Sequence, residues 1–504
     1  MQFHHTIAVY RFRCQFDGYQ RTNNHPASRR MTHQPTSTAA REPIPMESGE
    51  LRRTLGTTDL VLIGMGTIVG SGIFLVPGTV LRQAGGWVGP SLLVWVLGGL
   101  LSLLGALTYA ELGAMKTDTG GLYVYIRDAF GPLPAFLYGW TSFLVISTSA
   151  MATLAVAFSG YLGQVVPLGA VGARITSVLM IAFLVVVNVR GARNSATVQN
   201  WTTGFKVAAL IVLALFLIAK GEHTPATAEL WPESITPSLA SGIGTAMIGV
   251  LWAYEGWQYV TFSSGEANDP QRTLPRAIVI ATVAVVLTYV LANFAYITAL
   301  GATEAARTDH AAADAVTGLY GPAAGQVVTI IILVSIFSAA NSLLLTTPRM
   351  YFAMARDGVF FRRLATVHPR FRTPSFAICA MGAWSALLAA SGTFEQLLTY
   401  VVFAGWIFYG LGAASVFVFR KRLPHVERPF KVPGYPVTPV LFIASAAALV
   451  LNTVVAQPGR AATGIAVVLC GIPAFLAWRR SAAGGSRRGS IINEPDDFST
   501  EIDT

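Results

Sequence analysis

The residues best suited to bind a ligand lie where glycines and a serine interrupt an apolar stretch. The run Gly66-Thr67-Ile68-Val69-Gly70-Ser71-Gly72-Ile73-Phe74 stands in a segment without charged side chains, Leu60 to Leu81. A helix that unwinds at Gly70-Ser71-Gly72 frees backbone N–H groups, and the half-helix that follows adds a partial positive charge at its N-terminus. These groups suit a carboxylate, whereas freed carbonyl groups near Ile68 suit an ammonium group. The pattern therefore indicates a site for a zwitterionic α-amino acid.

A second interrupted stretch, Trp252-Ala253-Tyr254-Glu255-Gly256-Trp257, offers matching groups. Trp252 is the candidate gate that closes over a substrate, with an aromatic belt at the membrane surface as the alternative. Glu255 is an ionisable residue predicted to lie deep within a membrane span. Placing such residues there costs free energy, and they usually have a function. It could pair with a polar side chain, read a cationic substrate or carry a proton, and all three roles stay open at this point.

Lys206 is a charged residue inside an apolar segment. Asn200 to Phe205 precede it, and the fully apolar run Val207 to Ala219 follows it. A lysine at such depth usually faces a cavity or a partner, although its long side chain can also extend to the membrane interface. An ammonium group can occupy the place where a sodium-coupled carrier holds its ion, or it can exchange a proton. Lys206 is therefore the candidate coupling residue.

Enzymatic and metal chemistry are not expected from this chain. All eight histidines lie in predicted tails or loops, whereas an intramembrane hydrolase with a Ser–His pair or a metalloprotease needs histidine at depth. Cys14, Cys379 and Cys470 fit neither a disulfide framework nor a zinc spacing. We expect no catalytic residue, no metal ion and no cofactor.

The elements that must position these groups are membrane-spanning helices. Hydrophobic residues make up 53% of the 504 residues and charged residues only 12%, about half of the roughly 25% that is usual in soluble proteins. Charge-free stretches recur along the chain, each near or above the roughly 20 residues that cross a bilayer as an α-helix. The predicted spans are 60–82, 91–114, 131–161, 171–189, 196–219, 239–263, 277–300, 324–350, 374–391, 396–419, 437–456 and 461–478. The expected class is an all-α polytopic membrane protein with about twelve spans.

Glycine clusters interrupt two of these spans, the first and the sixth. The two spans are five apart in chain order. Because each span crosses the membrane once, a second repeat of five spans would be inserted in the opposite orientation to the first. Inverted repeats of this kind bind substrate where two discontinuous helices meet near mid-membrane. The alternative is that the glycines only allow close helix packing, which is the interpretation we prefer for the glycines between Phe136 and Gly160.

We attribute the net charge of +10 to the orientation of the protein in the membrane rather than to a nucleic-acid partner. Of the 35 Lys and Arg residues, Lys206 lies within a span and five lie on one side of the predicted spans, which leaves 29 on the side of both termini. Those five residues are Arg82, Arg174, Lys220, Arg307 and Arg460. Since basic residues concentrate on the cytoplasmic side of membrane proteins, both termini are expected in the cytoplasm.

Four motifs, in order along the chain, resemble those of the amino acid–polyamine–organocation transporters, and most of all the L-type amino-acid transporter branch. They are Gly64 to Pro77, Trp252 to Trp257, Gly265 to Ile278 and Pro348 to Gly358. The resemblance covers nearly everything from Asp59 to Trp478. It implies a five-plus-five inverted-repeat fold with two additional C-terminal spans.

That fold divides the chain into four regions. Residues 1–54 and 481–504 are expected to be disordered cytoplasmic tails, because both are polar and lack an apolar core. The transport core, spans one to ten, would occupy residues 55–422, and the two additional spans residues 423–480.

The resemblance also implies roles for individual residues. Backbone groups at Gly70, Ser71 and Gly72 would hold the substrate carboxylate, and carbonyl groups near Ile68 and Trp252-Ala253 would hold the amine. Lys206 matches the fifth-span lysine of sodium-independent members.

Two positions depart from the family pattern. Animal L-type members carry a cysteine in the loop between the third and fourth spans that bonds a heavy chain, and this chain has none between Gly163 and Ser177. A carrier without a disulfide-linked heavy chain, in a bacterial inner (plasma) membrane, is therefore expected. Position 255 holds glutamate where relatives vary between small residues and aspartate, so the side-chain specificity does not carry over.

The sequence thus predicts a sodium-independent carrier of L-amino acids that works by alternating access, with exchange slightly favoured. The alternatives are a proton-coupled importer and, because of Glu255, a carrier of cationic amino acids or amines. A membrane receptor that binds an amino acid without moving it is the alternative from a different class.

Overall fold

The computed structural model describes residues 53–223, 230–234 and 236–489. Within these residues the regular secondary structure is helical, apart from one isolated β-bridge between Leu55 and Ala267. Most of the two predicted tails, residues 1–52 and 490–504, lies outside the described residues, whereas residues 481–489 of the second tail continue the last helix, which ends at Gly489. The predicted all-α class is confirmed for the described part of the chain.

Five predicted spans occupy the N-terminal half. The first is interrupted and consists of α1 (Thr57–Ile68), α2 (Gly72–Leu75) and α3 (Pro77–Gln83). The second is α4 (Val88–Met115), and a short helix, α5 (Leu122–Phe130), follows it. The third joins α6 (Pro132–Thr141) to α7 (Ser147–Val165) through a π-helical turn, Ser142–Ile146. The fourth and fifth spans are α8 (Gly169–Val189) and α9 (Ala192–Lys220).

The C-terminal half begins with a second interrupted span. It consists of α10 (Pro237–Ala253) and a 3-10 helix, Trp257–Glu266. The remaining helices are α11 (Pro270–Arg307), α12 (Ala311–Tyr320), α13 (Pro322–Thr346), α14 (Pro348–Arg356), a 3-10 turn (Arg362–Ala365), α15 (Ser375–Ser391), α16 (Phe394–Arg422), α17 (Val437–Ala456) and α18 (Pro458–Gly489).

Ten helical segments of the described chain are long and apolar enough to cross a membrane. The other two predicted spans coincide with α10, which ends at the second break, and with α15, which has 17 residues. The protein is a multi-pass integral membrane protein. The side at which α1 begins and α18 ends is here called the terminal side.

Glycines on α4 let this helix approach its neighbours closely. A Cβ atom on Gly99 would lie 2.7 Å from a methyl group of Val286 on α11. Because lipid chains are as apolar as the side chains, helices in a membrane associate through such close packing. On the same helix, the Trp95 ring packs edge-on against Tyr254 and Tyr289, with centroids 5.9 Å apart in both pairs. Helix α4 therefore supports the two elements that carry the second break and the seventh span.

Backbone hydrogen bonds tie the start of the chain's first span to the end of the sixth. The amides of Thr54 and Leu55 both donate to the carbonyl of Glu266, at 2.9 and 3.0 Å, and the amide of Asn268 donates to the carbonyl of Leu55 at 2.8 Å. These bonds hold the terminal ends of the two interrupted spans together.

Candidate functional site at the crossing of the two interrupted helices

The first break lies between α1 and α2. The last bond of α1 runs from the amide of Val69 to the carbonyl of Met65, at 2.8 Å, and the next helical turn begins with the carbonyl of Ser71, which accepts from Leu75 at 3.1 Å. The first amides of a helix have no partner within it and point away from its N-terminus. The break therefore directs backbone N–H groups of residues 71–73 back toward the middle of the span.

The second break packs directly against the first. Gly256 has a φ of +134°, a conformation that favours glycine, and a Cβ atom there would lie 2.9 Å from the amide nitrogen of Ile68. On the other side of the crossing, a Cβ atom on Gly72 would lie 2.5 Å from the Cα atom of Ala253. Gly72 and Gly256 are thus required for the close approach of two backbones. The glycine at position 72 serves this packing and not only the space for a substrate.

A cavity of about 350 Å³, open solvent included, lies at this crossing. Six of the seven predicted substrate-binding residues line it, and the seventh, Ala253, supports Gly72 from behind. The lining residues are Thr67, Ile68, Gly70, Ser71, Gly72, Ala150, Leu154, Trp252, Glu255, Tyr259, Ala339 and Leu343. Trp252 is buried here, with 6% of its surface exposed, so it does not belong to an aromatic belt at the membrane surface.

Some buried polar atoms of the cavity wall have no protein partner. Among them, Ser71 Oγ and Trp252 Nε1 make no hydrogen bond to any residue that the structure describes. Buried polar atoms are nearly always paired, and each exception in a folded protein calls for an explanation. A polar substrate that accepts or donates at these atoms is the simplest one, since both residues line the same cavity.

Lys206 lies behind the first break rather than in the cavity. Its Nζ donates to the carbonyls of Gly66 at 2.8 Å, Val69 at 2.5 Å and Ser335 at 3.4 Å. The residue is 2% exposed, so its side chain does not extend to the membrane interface. Two carbonyl groups freed by the first break are therefore occupied by the protein's own ammonium group.

Two of the carbonyls that the sequence assigned to the substrate amine, those of Ile68 and Trp252, already have protein partners. Tyr289 on α11 donates its hydroxyl to the carbonyl of Ile68, at 3.0 Å. The amide of Glu255 donates to the carbonyl of Trp252, also at 3.0 Å. A carbonyl oxygen can accept two hydrogen bonds, so an ammonium group would share these acceptors with Tyr289 and with the backbone.

Glu255 belongs to a buried polar cluster at the floor of the cavity. Tyr409 on α16 donates its hydroxyl to Glu255 Oε1 at 2.5 Å, and Gln258 Nε2 donates to the same oxygen, also at 2.5 Å. Gln258 also donates to the hydroxyl of Tyr409, at 2.9 Å. Glu255 also lines the cavity, so its carboxylate joins this cluster to the space that a ligand would occupy.

Several residues of the site were not identified from the sequence. Tyr289 and Tyr409 lie in the seventh and tenth spans, far from either break along the chain, and reach the site by their hydroxyl groups. The apolar wall formed by Ala150 and Leu154 of α7 and Ala339 of α13 was also missed. A polar aromatic residue inside a charge-free span was the available signal for the two tyrosines, and the small apolar residues carried none.

No group of three or more His, Cys, Asp or Glu side chains within the described ranges has a geometry that could hold a metal ion. The charged side chains described at this crossing are Glu255, which lines the cavity, and Lys206, which lies behind the first break.

Comparison with known proteins places this geometry in a family. A family model described as amino acid permease matches residues 55–475, which is most of the chain and contains both breaks.

Individual relatives agree with that match over nearly their whole length. The serine/threonine exchanger SteT of Bacillus subtilis is 31% identical over 440 residues, which cover 87% of this chain and 99% of the relative. The human b(0,+)-type amino acid transporter 1 is 34% identical over 415 residues, 81% of this chain and 84% of the relative. The human cystine/glutamate transporter is 31% identical over 450 residues, 87% and 88% of the two chains.

Proposed function

Because the chain belongs to the amino acid permease family, we propose that it is a sodium-independent carrier that exchanges L-α-amino acids across a membrane by alternating access. It is a transporter and not an enzyme. The similarity to a protein named as a serine/threonine exchanger supports exchange over one-way uptake.

One observation carries the proposal: the cavity at the crossing of the two breaks combines the groups that an amino acid needs. The amides of residues 71–73 and the hydroxyl of Ser71 suit the carboxylate. The partly used carbonyl of Ile68 suits the ammonium group, and Trp252 covers the cavity from the sixth span. The unpartnered Ser71 Oγ and Trp252 Nε1 are two atoms that such a substrate would satisfy.

Lys206 supports independence from sodium. Its ammonium group already binds the carbonyls of Gly66 and Val69, which are the type of ligand that a sodium ion would use at a helix break. A second cation at the same carbonyls would meet strong repulsion from the buried Lys206 charge. The carrier should therefore work equally well in sodium-free buffer.

The topology and location form a second part of the proposal. The excess of basic residues on the terminal side supports cytoplasmic termini. The loop between α7 and α8 contains no cysteine, which supports a carrier that acts without a disulfide-linked heavy chain, in a bacterial inner membrane.

Glu255 favours a second candidate substrate class, amino acids or amines with a cationic side chain. Its carboxylate lines the cavity, where it accepts hydrogen bonds from Tyr409 and Gln258. The same carboxylate would also suit proton-coupled uptake, in which Glu255 or Lys206 carries the proton.

Uptake into liposomes with the purified protein tests the proposal. Labelled amino acids would be offered in sodium-free buffer to vesicles that are empty or preloaded with unlabelled amino acids. For an exchanger, preloading is expected to stimulate uptake strongly. The labelled amino acids whose uptake is stimulated are the substrates. Equal uptake into empty vesicles that rises with an inward proton gradient would instead establish the proton-coupled importer. Binding in detergent without flux in vesicles would establish a receptor and contradict transport.

A further inference from the structure

The connection between α14 and α15 carries an unusual concentration of arginine. Between positions 356 and 372 it contains five arginines and one acidic residue, Asp357. All five arginine side chains are exposed on the terminal side, together with the exposed side chain of Arg479 at the end of the twelfth span. We call these six residues the arginine surface: Arg356, Arg362, Arg363, Arg370, Arg372 and Arg479.

The acidic residues that the structure describes do not neutralise the charges of the arginine surface. None of the six guanidinium groups forms an ion pair with an acidic residue in the part of the chain that the structure describes. Asp357 is occupied elsewhere, because it accepts from Arg127 at 2.5 Å and from Tyr123 at 2.8 Å. On the opposite side, two of the five basic residues form ion pairs: Arg82 with Asp309, and Arg307 with Glu304.

Aromatic residues place this surface at the level of the membrane interface. Phe360 is buried and stacks on Trp478 of α18, with ring centroids 5.8 Å apart. The neighbouring Phe361 contacts the same indole at 4.6 Å but is 54% exposed, and Phe376 at the start of α15 is 43% exposed. Trp478 lies at the end of the twelfth predicted span, and tryptophan rings at span ends are typical of the boundary between the hydrocarbon and the headgroups. Arg362, which follows Phe361, is therefore expected at the depth of the lipid phosphate groups.

We infer that the arginine surface is a binding site for anionic phospholipid headgroups of the leaflet on the terminal side. Guanidinium groups bind phosphate oxygens in a bidentate way, and clusters of four to eight basic residues next to a span attract anionic lipid. The exposed rings of Phe361 and Phe376 would lie among the acyl chains directly below the bound headgroups. A soluble polyanion would use the charges but would leave these rings unexplained.

Native mass spectrometry of the full-length protein tests the inference. The protein would be purified in detergent and titrated with phosphatidylglycerol or phosphatidylcholine of the same acyl chains. The variant R362Q/R363Q/R370Q removes three charges from the surface. The matched control R174Q/K220Q/R307Q removes three charges from the opposite side. Melting in detergent alone checks that both variants are folded.

We expect the wild-type protein and the control to prefer phosphatidylglycerol, and the preference to fall about tenfold or more in the arginine variant. Equal preference in the wild type and the arginine variant would overturn the inference. So would an equal loss in the control, or full displacement of the lipid by excess inorganic phosphate, which would indicate a site for free anions. If the arginine variant does not fold, the preference of the wild-type protein for phosphatidylglycerol is measured at high salt concentration instead. A preference that persists when salt screens the charges is not electrostatic and would overturn the inference.

Discussion

Arg349 and Glu266 form a buried ion pair that joins the end of the sixth span to the helix after the eighth. Arg349 Nε donates to one carboxylate oxygen, and Nη2 donates to the other at 3.1 Å. The two side chains are 4% and 9% exposed. Since the backbone of Glu266 also accepts from Leu55, one residue connects the first, sixth and eighth spans on the terminal side.

Removing one partner of this pair should be strongly destabilising. Arg349→Met leaves the Glu266 carboxylate buried without its partner, which typically costs about 3–5 kcal/mol. A clear fall in melting temperature in detergent is expected, and Arg349→Met/Glu266→Gln should recover part of it. Arg272→Met is the matched control, because the Arg272–Asp269 pair is exposed, with 3.9 Å between its atoms. An Arg349→Met protein that melts like the wild type would contradict the role of the pair.

Lys206 should affect transport more than substrate selectivity. Lys206→Ala removes a charged donor from the carbonyls of Gly66 and Val69, and such hydrogen bonds contribute about 1.5–3 kcal/mol. Exchange in liposomes should slow about tenfold or more, while the order of preferred substrates stays the same. Lys220→Ala, an exposed change at the end of the same helix, should leave the rate unchanged. A Lys206→Ala rate equal to the wild type at every pH and salt condition would exclude a coupling role.

The sequence could predict the elements and the breaks, because both depend on local composition. Charge-free stretches define the spans, and paired glycines with a serine define where the first one unwinds. Apart from the meeting of the first and sixth spans, it could not predict which spans face each other, since this depends on how each helix is rotated and packed. Tyr289 and Tyr409 were missed for that reason. The function of Gly72 was predicted only in part, because its contact with Ala253 joins residues far apart in the chain.

Gly72→Ala should damage the protein through packing. The added Cβ would lie 2.5 Å from the Cα atom of Ala253, and backbone cannot yield as a side chain does, so overpacking of about 1–3 kcal/mol is expected. Both the melting temperature and substrate affinity should fall. Gly160→Ala is the control, since a Cβ there meets nothing within 4 Å. Lost affinity at an unchanged melting temperature would show that position 72 acts on the substrate alone.

His310 should make stability depend on pH. It lies at the start of α12, where its ring packs against Tyr161 with centroids 4.9 Å apart. Burial lowers the pKa of His310, although Asp314 and Asp309 oppose this change. The folded protein therefore binds the proton less readily than the unfolded chain, so stability is kept above the ordinary pKa of 6.5 and falls as the pH drops below it.

Melting between pH 7 and pH 5 tests this sign. Relative to the wild type, His310→Asn should lose less of its melting temperature as the pH falls across this interval, because the group that resists protonation is gone. His425→Asn, an exposed change in the loop after α16, is the control and should follow the wild type. A steeper loss in His310→Asn than in the wild type would mean that the folded protein favours the charged imidazolium.

Glu255→Gln separates the charge of the cavity from its shape. The glutamine carbonyl can still accept from Tyr409 and Gln258, which both bind the same oxygen in the wild type, so the fold of the site should persist. A substrate cation loses its charge-assisted hydrogen bond, which is about twice as strong as a neutral one. Uptake of lysine and arginine should therefore fall about tenfold, while uptake of neutral amino acids changes little.

Glu222→Gln is the matched control for this change, because Glu222 is exposed beyond the end of α9. Its uptake profile should equal that of the wild type across the whole panel. If Glu255→Gln leaves the uptake of lysine, arginine and amines unchanged, the Glu255 carboxylate does not bind a cationic side chain of the substrate. An equal fall for every substrate, with the dependence on a proton gradient abolished, would assign the proton to Glu255, because glutamine keeps the hydrogen bonds of the site but cannot ionise.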